Sequence, residues 1–151
     1  MVSAHLRLEI SVNAPIDVAF QYLTDWPKQQ EWMLGTHVEV KSEGDARYVG
    51  GKIAAFTGIG PLGFWDTMTI TTWQAPHFVE VDHTGTLVRG TGYMRFTEVD
   101  EASCVFEWGE VLEIPLGFVG RLGFGVLRPF FLYGVRKSLE VFKARVEALP
   151  R

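Results

Sequence analysis

The sequence predicts an α+β fold, a bent antiparallel sheet of seven strands wrapped around one long C-terminal helix, with two short helices after the first strand. Three observations predict it. The opening segment alternates apolar and polar residues. The stretch from Thr36 to Ile114 is a succession of β-branched and aromatic runs cut by short turns. From Leu132 onward, apolar residues recur three and four apart. A period of two marks strands with one buried face, and a period near 3.6 marks a helix with an apolar stripe.

The first strand is expected over Ala4–Val12, where Leu6, Leu8, Ile10 and Val12 alternate with His5, Arg7, Glu9 and Ser11. Asn13-Ala14-Pro15 then starts a helix, because proline tolerates the first turn, where its missing N–H would be unpaired anyway. Asp17 puts a negative charge in that turn, where the helix dipole favours it. Val18, Ala19, Tyr22 and Leu23 follow at helical spacing, and Asp25-Trp26-Pro27 restarts the chain into a second short helix ending near Gly35.

Six further strands are expected near Thr36–Ser42, Tyr48–Thr57, Phe64–Trp73, Phe78–Thr84, Leu87–Val99 and Cys104–Ile114. Their connections are short, as successive antiparallel neighbours require. The final helix, opened or kinked by Pro129, carries its stripe on Leu132, Val135, Leu139, Phe142, Val146 and Leu149. A sheet with one buried face needs a cover, and this helix supplies it. The glycine-punctuated apolar segment before it, Gly117 to Leu127, is expected to approach Pro129 as loose helix packed on the sheet. That reading is preferred to the alternative, a mobile lid or a membrane-touching patch, because large exposed apolar patches are uncommon in monomers.

Composition sets the class. The chain has 151 residues, 47% of them hydrophobic, including 11 Phe and 5 Trp, which is enough to build one core over residues 1–151 as a single domain. A net charge of −4 with no basic run argues against nucleic acid. The one cysteine, Cys104, cannot form an intrachain disulfide, which suits a reducing, cytoplasmic setting. Arg7 and Glu9 interrupt the apolar N-terminus, so no signal peptide is read there. Arg121 and Arg128 interrupt the longest apolar stretch, Pro115 to Val135, which disfavours a transmembrane segment.

Several local patterns come in an order that resembles the START/birch-pollen-allergen superfamily, specifically its bacterial polyketide cyclase/dehydrase-like branch. Ala14-Pro15 with Ala19-Phe20, Leu23-x-Asp25 and Trp32 resemble that family's first helix pair. Trp73-x-x-Pro76 resembles the turn after its fourth strand, and Gly90-x-Gly92 its penultimate strand. Pro115-x-Gly117, Pro129 and Ser138-Leu139 resemble its final helix. The resemblance covers nearly the whole chain. It implies a helix-grip fold and a cavity for a hydrophobic small molecule, such as a lipid, an isoprenoid or an aromatic polyketide. It implies no single catalytic set, because the superfamily includes carriers, receptors and aromatase/cyclases on one fold.

Strand alternation nominates the cavity residues. Asp66, Met68 and Ile70 share one face, Val81 shares one with His83, Met94 with Phe96, and Phe106 and Trp108 with Glu110. With the apolar faces inward, Asp66, His83 and Glu110 point inward as well. A buried carboxylate is costly unless paired. The three therefore meet one another, meet a ligand, or sit at a wet rim. As a His–carboxylate set they are candidates for general acid–base catalysis or for a polar handle in a binding pocket.

Gly58-x-Gly60-x-x-Gly63 fits a dinucleotide pattern, but a strand follows where phosphate binding needs a helix N-terminus, so a hairpin loop at the cavity mouth is expected. His5, His37, His77 and His83 lack metal-ligand spacing, so neither a metal nor another cofactor is expected. Cys104 lacks a nucleophile motif and reads as a small core residue. Three functions stay open: binding of a hydrophobic small molecule, a cyclase/aromatase-type enzyme using an acid–base pair such as Asp66 with His83, and a ligand-free interaction module presenting Gly117 to Leu127.

Overall fold

A computed structural model of the chain describes residues 2–114 and 117–150. Pro115 of the Pro115-x-Gly117 pattern lies outside the described residues. The elements run β1 (Val2–Val12), α1 (Ile16–Thr24), a 3-10 turn (Trp26–Glu31), β2 (Thr36–Val40), β3 (Lys52–Ile59), β4 (Leu62–Gln74), β5 (Phe78–Thr84), β6 (Arg89–Asp100), β7 (Ser103–Ile114) and α2 (Gly117–Glu147). The strands form one antiparallel sheet in the order β1-β7-β6-β5-β4-β3-β2. Consecutive strands from β2 to β7 are hairpin neighbours. Only β1 breaks the series, crossing to pair with β7 from Val2↔Ile114 to Val12↔Cys104.

The alternation of β1 now has its cause. Leu6 and Val12 are buried while Arg7 and Glu9 face solvent, where Arg7 reaches Glu107 of β7 across the strand pair. In α1, Ile16, Ala19, Phe20 and Leu23 are buried, the three-and-four spacing of a helix lying on the core. The expected strand at Tyr48 begins instead at Lys52, because Gly51 N–H donates to Tyr48 O and closes a turn there. β6 likewise starts at Arg89 rather than Leu87.

One bulge matters for packing. The β4–β5 register shifts between Ile70 and Thr72. The extra residue lets both Ile70 and Trp73 pack inward, although strict alternation would put them on opposite faces. Trp73 meets Phe20 of α1 edge-on, with ring centroids 5.3 Å apart.

Phe142 of α2 fastens the helix to the sheet. It is fully buried, and its ring lies 5.2 Å from Phe106, 5.1 Å from Trp32 and 5.8 Å from Tyr22. Phe106 in turn stacks on Phe96 at 4.7 Å. With Val135, Leu139 and Val146, this stripe is the expected one. The first half of α2 differs from expectation. It is regular helix straight through Pro129, and it stands exposed rather than packed on the sheet.

Candidate functional site

Between the inner face of the sheet and α2 lies a cavity of about 340 Å³. Its wall is mainly apolar: Met68, Val81, Met94 and Trp108 from the sheet, Phe130, Phe131 and Val135 from α2. That volume falls within the range of small-molecule sites, roughly 300–1,000 Å³.

One polar row crosses this wall. His83 Nδ1 lies 2.8 Å from Asp66 Oδ1, and His83 Nε2 lies 2.7 Å from Glu110 Oε2. The side chains of His83, Asp66 and Glu110 are 3%, 16% and 14% exposed. The row therefore sits at the back of the cavity, with its carboxylates reachable from inside it. Burial acts against a charged imidazole, but the hydrogen bonds to Asp66 and Glu110 and their charges outweigh it and raise the His83 pKa to about 10. His83 is thus imidazolium at neutral pH and donates from both ring nitrogens. Burial pushes the Glu110 carboxyl above its usual range, opposed by the hydrogen bond and charge of His83.

The sheet register explains how residues from β4, β5 and β7 meet. His83 stands opposite Met68, two residues from Asp66, so the first contact is a diagonal neighbour across adjacent strands. Glu110 is two strands from His83, with β6 between them. Along β6, Gly92 stands opposite Glu110 and Gly90 opposite His83. A Cβ at Gly92 would lie 2.8 Å from Glu110 Oε2. The glycine at 92 leaves the corridor through which the Glu110 side chain crosses β6. A close approach of side chain to backbone is what glycine permits.

The sequence nominates ten residues, and seven line the cavity: Asp66, Met68, Val81, His83, Met94, Trp108 and Glu110. Ile70, Phe96 and Phe106 share the inward face but not the cavity wall. They lie further along their strands, where Phe20, Trp73 and Phe142 fill the space, and they are core residues. Sequence reasoning missed Trp26, Trp32 and Met33 around the 3-10 turn, and Ile53, Ala55 and Thr57 on β3. The β3 residues alternate and were findable. The 3-10 turn carries no periodicity to read.

Trp32 adds a second polar feature. Among the described residues its indole Nε1 is the buried side-chain polar atom without a hydrogen-bond partner. Ser138, another wall residue, is satisfied: its Oγ donates to Gly134 O and accepts from Leu34 N–H, tying α2 to the chain after the 3-10 turn. No lysine or arginine is among the cavity-lining residues.

The Gly58–Gly63 segment is a tight hairpin between β3 and β4, with Gly60 at φ 59° in the turn. A strand follows it, so it offers no helix N-terminus to a phosphate. Among the described residues no group of three or more His, Cys, Asp or Glu could hold a metal ion. In the polar row the two carboxylates sit at opposite edges of one imidazole and do not converge on a point. Cys104 is buried in the core, and burial pushes its thiol up to about 11.

Residues 3–147 match the protein family described as polyketide cyclase/dehydrase and lipid transport. The chain belongs to this family. Among solved structures, an aromatase/cyclase from a Streptomyces species superposes with a TM-score of 0.81 at 14% identity, covering 97% of this chain and 94% of that one. A START superfamily protein from Mycobacterium smegmatis gives 0.74 at 13% identity, with 97% and 99% covered. A Thalictrum norcoclaurine synthase gives 0.68 at 15% identity, with 96% and 94% covered. No curated protein matches. At these identities the likeness is one of fold, and the fold is the helix-grip arrangement of START and polyketide cyclase proteins.

Proposed function

We propose that this protein binds a neutral or cationic hydrophobic small molecule bearing a hydroxyl or similar hydrogen-bonding group, held in the cavity against the Asp66–His83–Glu110 row. The observation that carries this reading is the row itself, a lone ionised feature in a mainly apolar wall. With His83 donating on both sides, the groups left for a ligand are carboxylate oxygens, which accept hydrogen bonds. Two carboxylates around one imidazolium leave the row with negative charge, and no lining Lys or Arg offsets it. An anionic headgroup would be repelled in a site of low dielectric. A phenol or hydroxylated polyketide-like ring system meets all these conditions, and a hydroxylated isoprenoid meets most of them. A fatty acid carboxylate does not.

A second reading, a cyclase/aromatase-type enzyme, is favoured by the buried acid–base groups and by membership of the family. In it the proton acceptor is a carboxylate rather than His83, whose two nitrogens are both engaged. Glu110, raised by burial, suits that task better than an ordinary glutamate. The ligand-free interaction module finds less support, since the cavity has the volume of a ligand site.

The test is mass spectrometry of the freshly purified protein, native and then denatured with organic extraction. It is followed by tryptophan-fluorescence titration, for which Trp26, Trp32 and Trp108 stand in the wall. A neutral phenolic polycycle should bind at least about tenfold tighter than a carboxylic acid of equal size, a difference of roughly 1.4 kcal/mol. Recovery of a stoichiometric fatty acid, or tighter binding of the acid, would refute the charge argument. Turnover of a reactive polyketide chain that is lost in Glu110→Gln would establish the enzyme reading over simple binding.

A further inference from the structure

The outward face of α2 changes character along its length. Taking about 100° per residue, Val119, Leu122, Val126 and Tyr133 fall on the side opposite Val135, Leu139 and Phe142, which face the core, with Phe118 on the flank. After Tyr133 the same outward side carries Arg136, Lys137, Glu140 and Glu147. The second half is therefore an ordinary amphipathic helix with its charged side in water. The first half is apolar where a helix on a soluble domain is charged. Phe118, Val119, Leu122, Val126, Leu127 and Phe130 are 62–73% exposed, so this is open surface and not core. Contiguous exposure of this kind marks an interaction site.

Charge indicates the occupant. From Ile114 through Leu139 the chain has no Asp or Glu, and it has Arg121, Arg128, Arg136 and Lys137. The whole chain has 14 Lys and Arg against 18 Asp and Glu. Without these four cations it has 10 against 18, a balance of −8. Arg121 and Arg128 fall on the side of Val135, where Arg128 donates to His5 O, so the outward positive charge is that of Arg136 and of Lys137, which also pairs with Glu140. The boundary between the apolar and charged parts holds Tyr133, with Lys137 Nζ 5.6 Å from its ring, next to Arg136. An aromatic ring beside cations is the residue set found where a helix meets a lipid headgroup region.

By length and composition α2 is the one helix among the described residues that could cross a membrane. Its second half is fixed in the core by Val135, Leu139, Phe142 and Val146, so the whole helix is not free to do so. The exposed part can lie in an interface. The exposed face also wraps too far to be covered by one flat partner: Val119 and Leu127 lie about 100° and 180° around the helix from Phe118. A fluid surface closes around such a shape.

We infer that the first half of α2 docks this protein on an anionic lipid bilayer. Phe118, Leu122 and Val126 enter the acyl boundary, while Arg136 and Lys137 meet the anionic headgroups. Because the same helix contributes Phe130 and Phe131 to the cavity wall, docking brings the cavity to the bilayer surface, where a hydrophobic ligand dissolves. The inference stands on the helix surface and not on the identity of the ligand.

The experiment is co-sedimentation of the full chain with vesicles of phosphatidylcholine alone and of phosphatidylcholine mixed with phosphatidylglycerol. The protein should bind the anionic vesicles and bind the neutral ones more weakly. Leu122→Asp with Val126→Asp should lower binding to both by at least about tenfold. These residues are exposed and outside the cavity, so thermal stability and ligand titration should be unchanged. Arg136→Glu with Lys137→Glu should cost more than about fivefold on anionic vesicles, the effect of roughly one surface cation, and little on neutral ones. Absence of binding to anionic vesicles would overturn the inference. So would equal binding by the Leu122→Asp/Val126→Asp variant. If the wild type sediments as a dimer that this variant dissociates, and vesicles are ignored, the face belongs to a second copy and the lipid inference is wrong.

Discussion

Replacing His83 by leucine should destabilise this protein out of proportion to the volume changed. The imidazolium makes two hydrogen bonds, at 2.8 and 2.7 Å, each to a carboxylate. Hydrogen bonds involving charged groups contribute about 1.5–3 kcal/mol each, so about 3–6 kcal/mol of interaction is removed. Leucine restores some apolar burial. The carboxylates, 16% and 14% exposed, regain some solvation from the cavity side. The expected net loss is about 3 kcal/mol, near the lower end for breaking a buried ion pair by deleting one partner. Urea unfolding at pH 7, followed by tryptophan fluorescence, measures it. The mechanism makes a second demand. If the cost comes from stranded negative charge, adding Glu110→Gln to His83→Leu should recover at least half of the loss. A cost below about 1 kcal/mol for His83→Leu, or further destabilisation by the added Glu110→Gln, would refute the claim that His83 neutralises two buried carboxylates.

Three further outcomes are expected. The pKa of His83 is raised in the folded state, from 6.5 to about 10, so its stabilising contribution is fully present below pH 6.5 and is lost as pH rises through 10. The urea midpoint should therefore fall between pH 6.5 and 10, and the His83 imidazole resonances should show no titration between pH 6 and 8; Glu110, raised by burial, acts with the same sign but from pH 4.5 upward. Gly92→Ala should push Glu110 away from His83, because the new Cβ would lie 2.8 Å from Glu110 Oε2. The result should be a lower His83 pKa by NMR with the sheet intact, and an unchanged pKa would show that the corridor across β6 is not needed. Met68→Trp should fill the cavity at a cost of about 1–3 kcal/mol and abolish ligand uptake in the fluorescence titration.

The sheet was legible because its signal is local. Alternation in β4, β5 and β7 is enough to put Asp66, His83 and Glu110 on one face, and the register then joins them. What alternation cannot supply is depth along a strand. Phe96 and Phe106 have the right face and the wrong height, because Phe142 and Phe20 occupy the space above them. The bulge at Ile70/Thr72 breaks the period where Trp73 turns inward, and no single-residue preference announces it. The wall made by Trp26, Trp32 and Met33 comes from a 3-10 turn, whose position depends on tertiary packing against β2 and Phe142. The first half of α2 departs from the sequence expectation for a plainer reason. Apolar composition argues for burial, and here Phe124 and Phe131 turn inward while Phe118, Val119, Leu122, Val126 and Leu127 stay open.

The pairing of β1 with β7 has a consequence for synthesis. The strand made earliest in this chain finds its neighbour only when residues from Ser103 onward have been made. At translation rates on the order of 10 residues per second, that is a wait of roughly ten seconds. Throughout it Leu6, Leu8 and Ile10 belong to an unpaired strand, while β2 to β6 can already zip together as successive hairpins. The sheet thus grows as a nascent meander and is completed at one edge by its oldest segment. A ribosome-bound chain stopped before Ser103 should hold the meander with its β7 edge open and β1 unpaired and sensitive to protease. The helix that covers the inner face is made last, after β7.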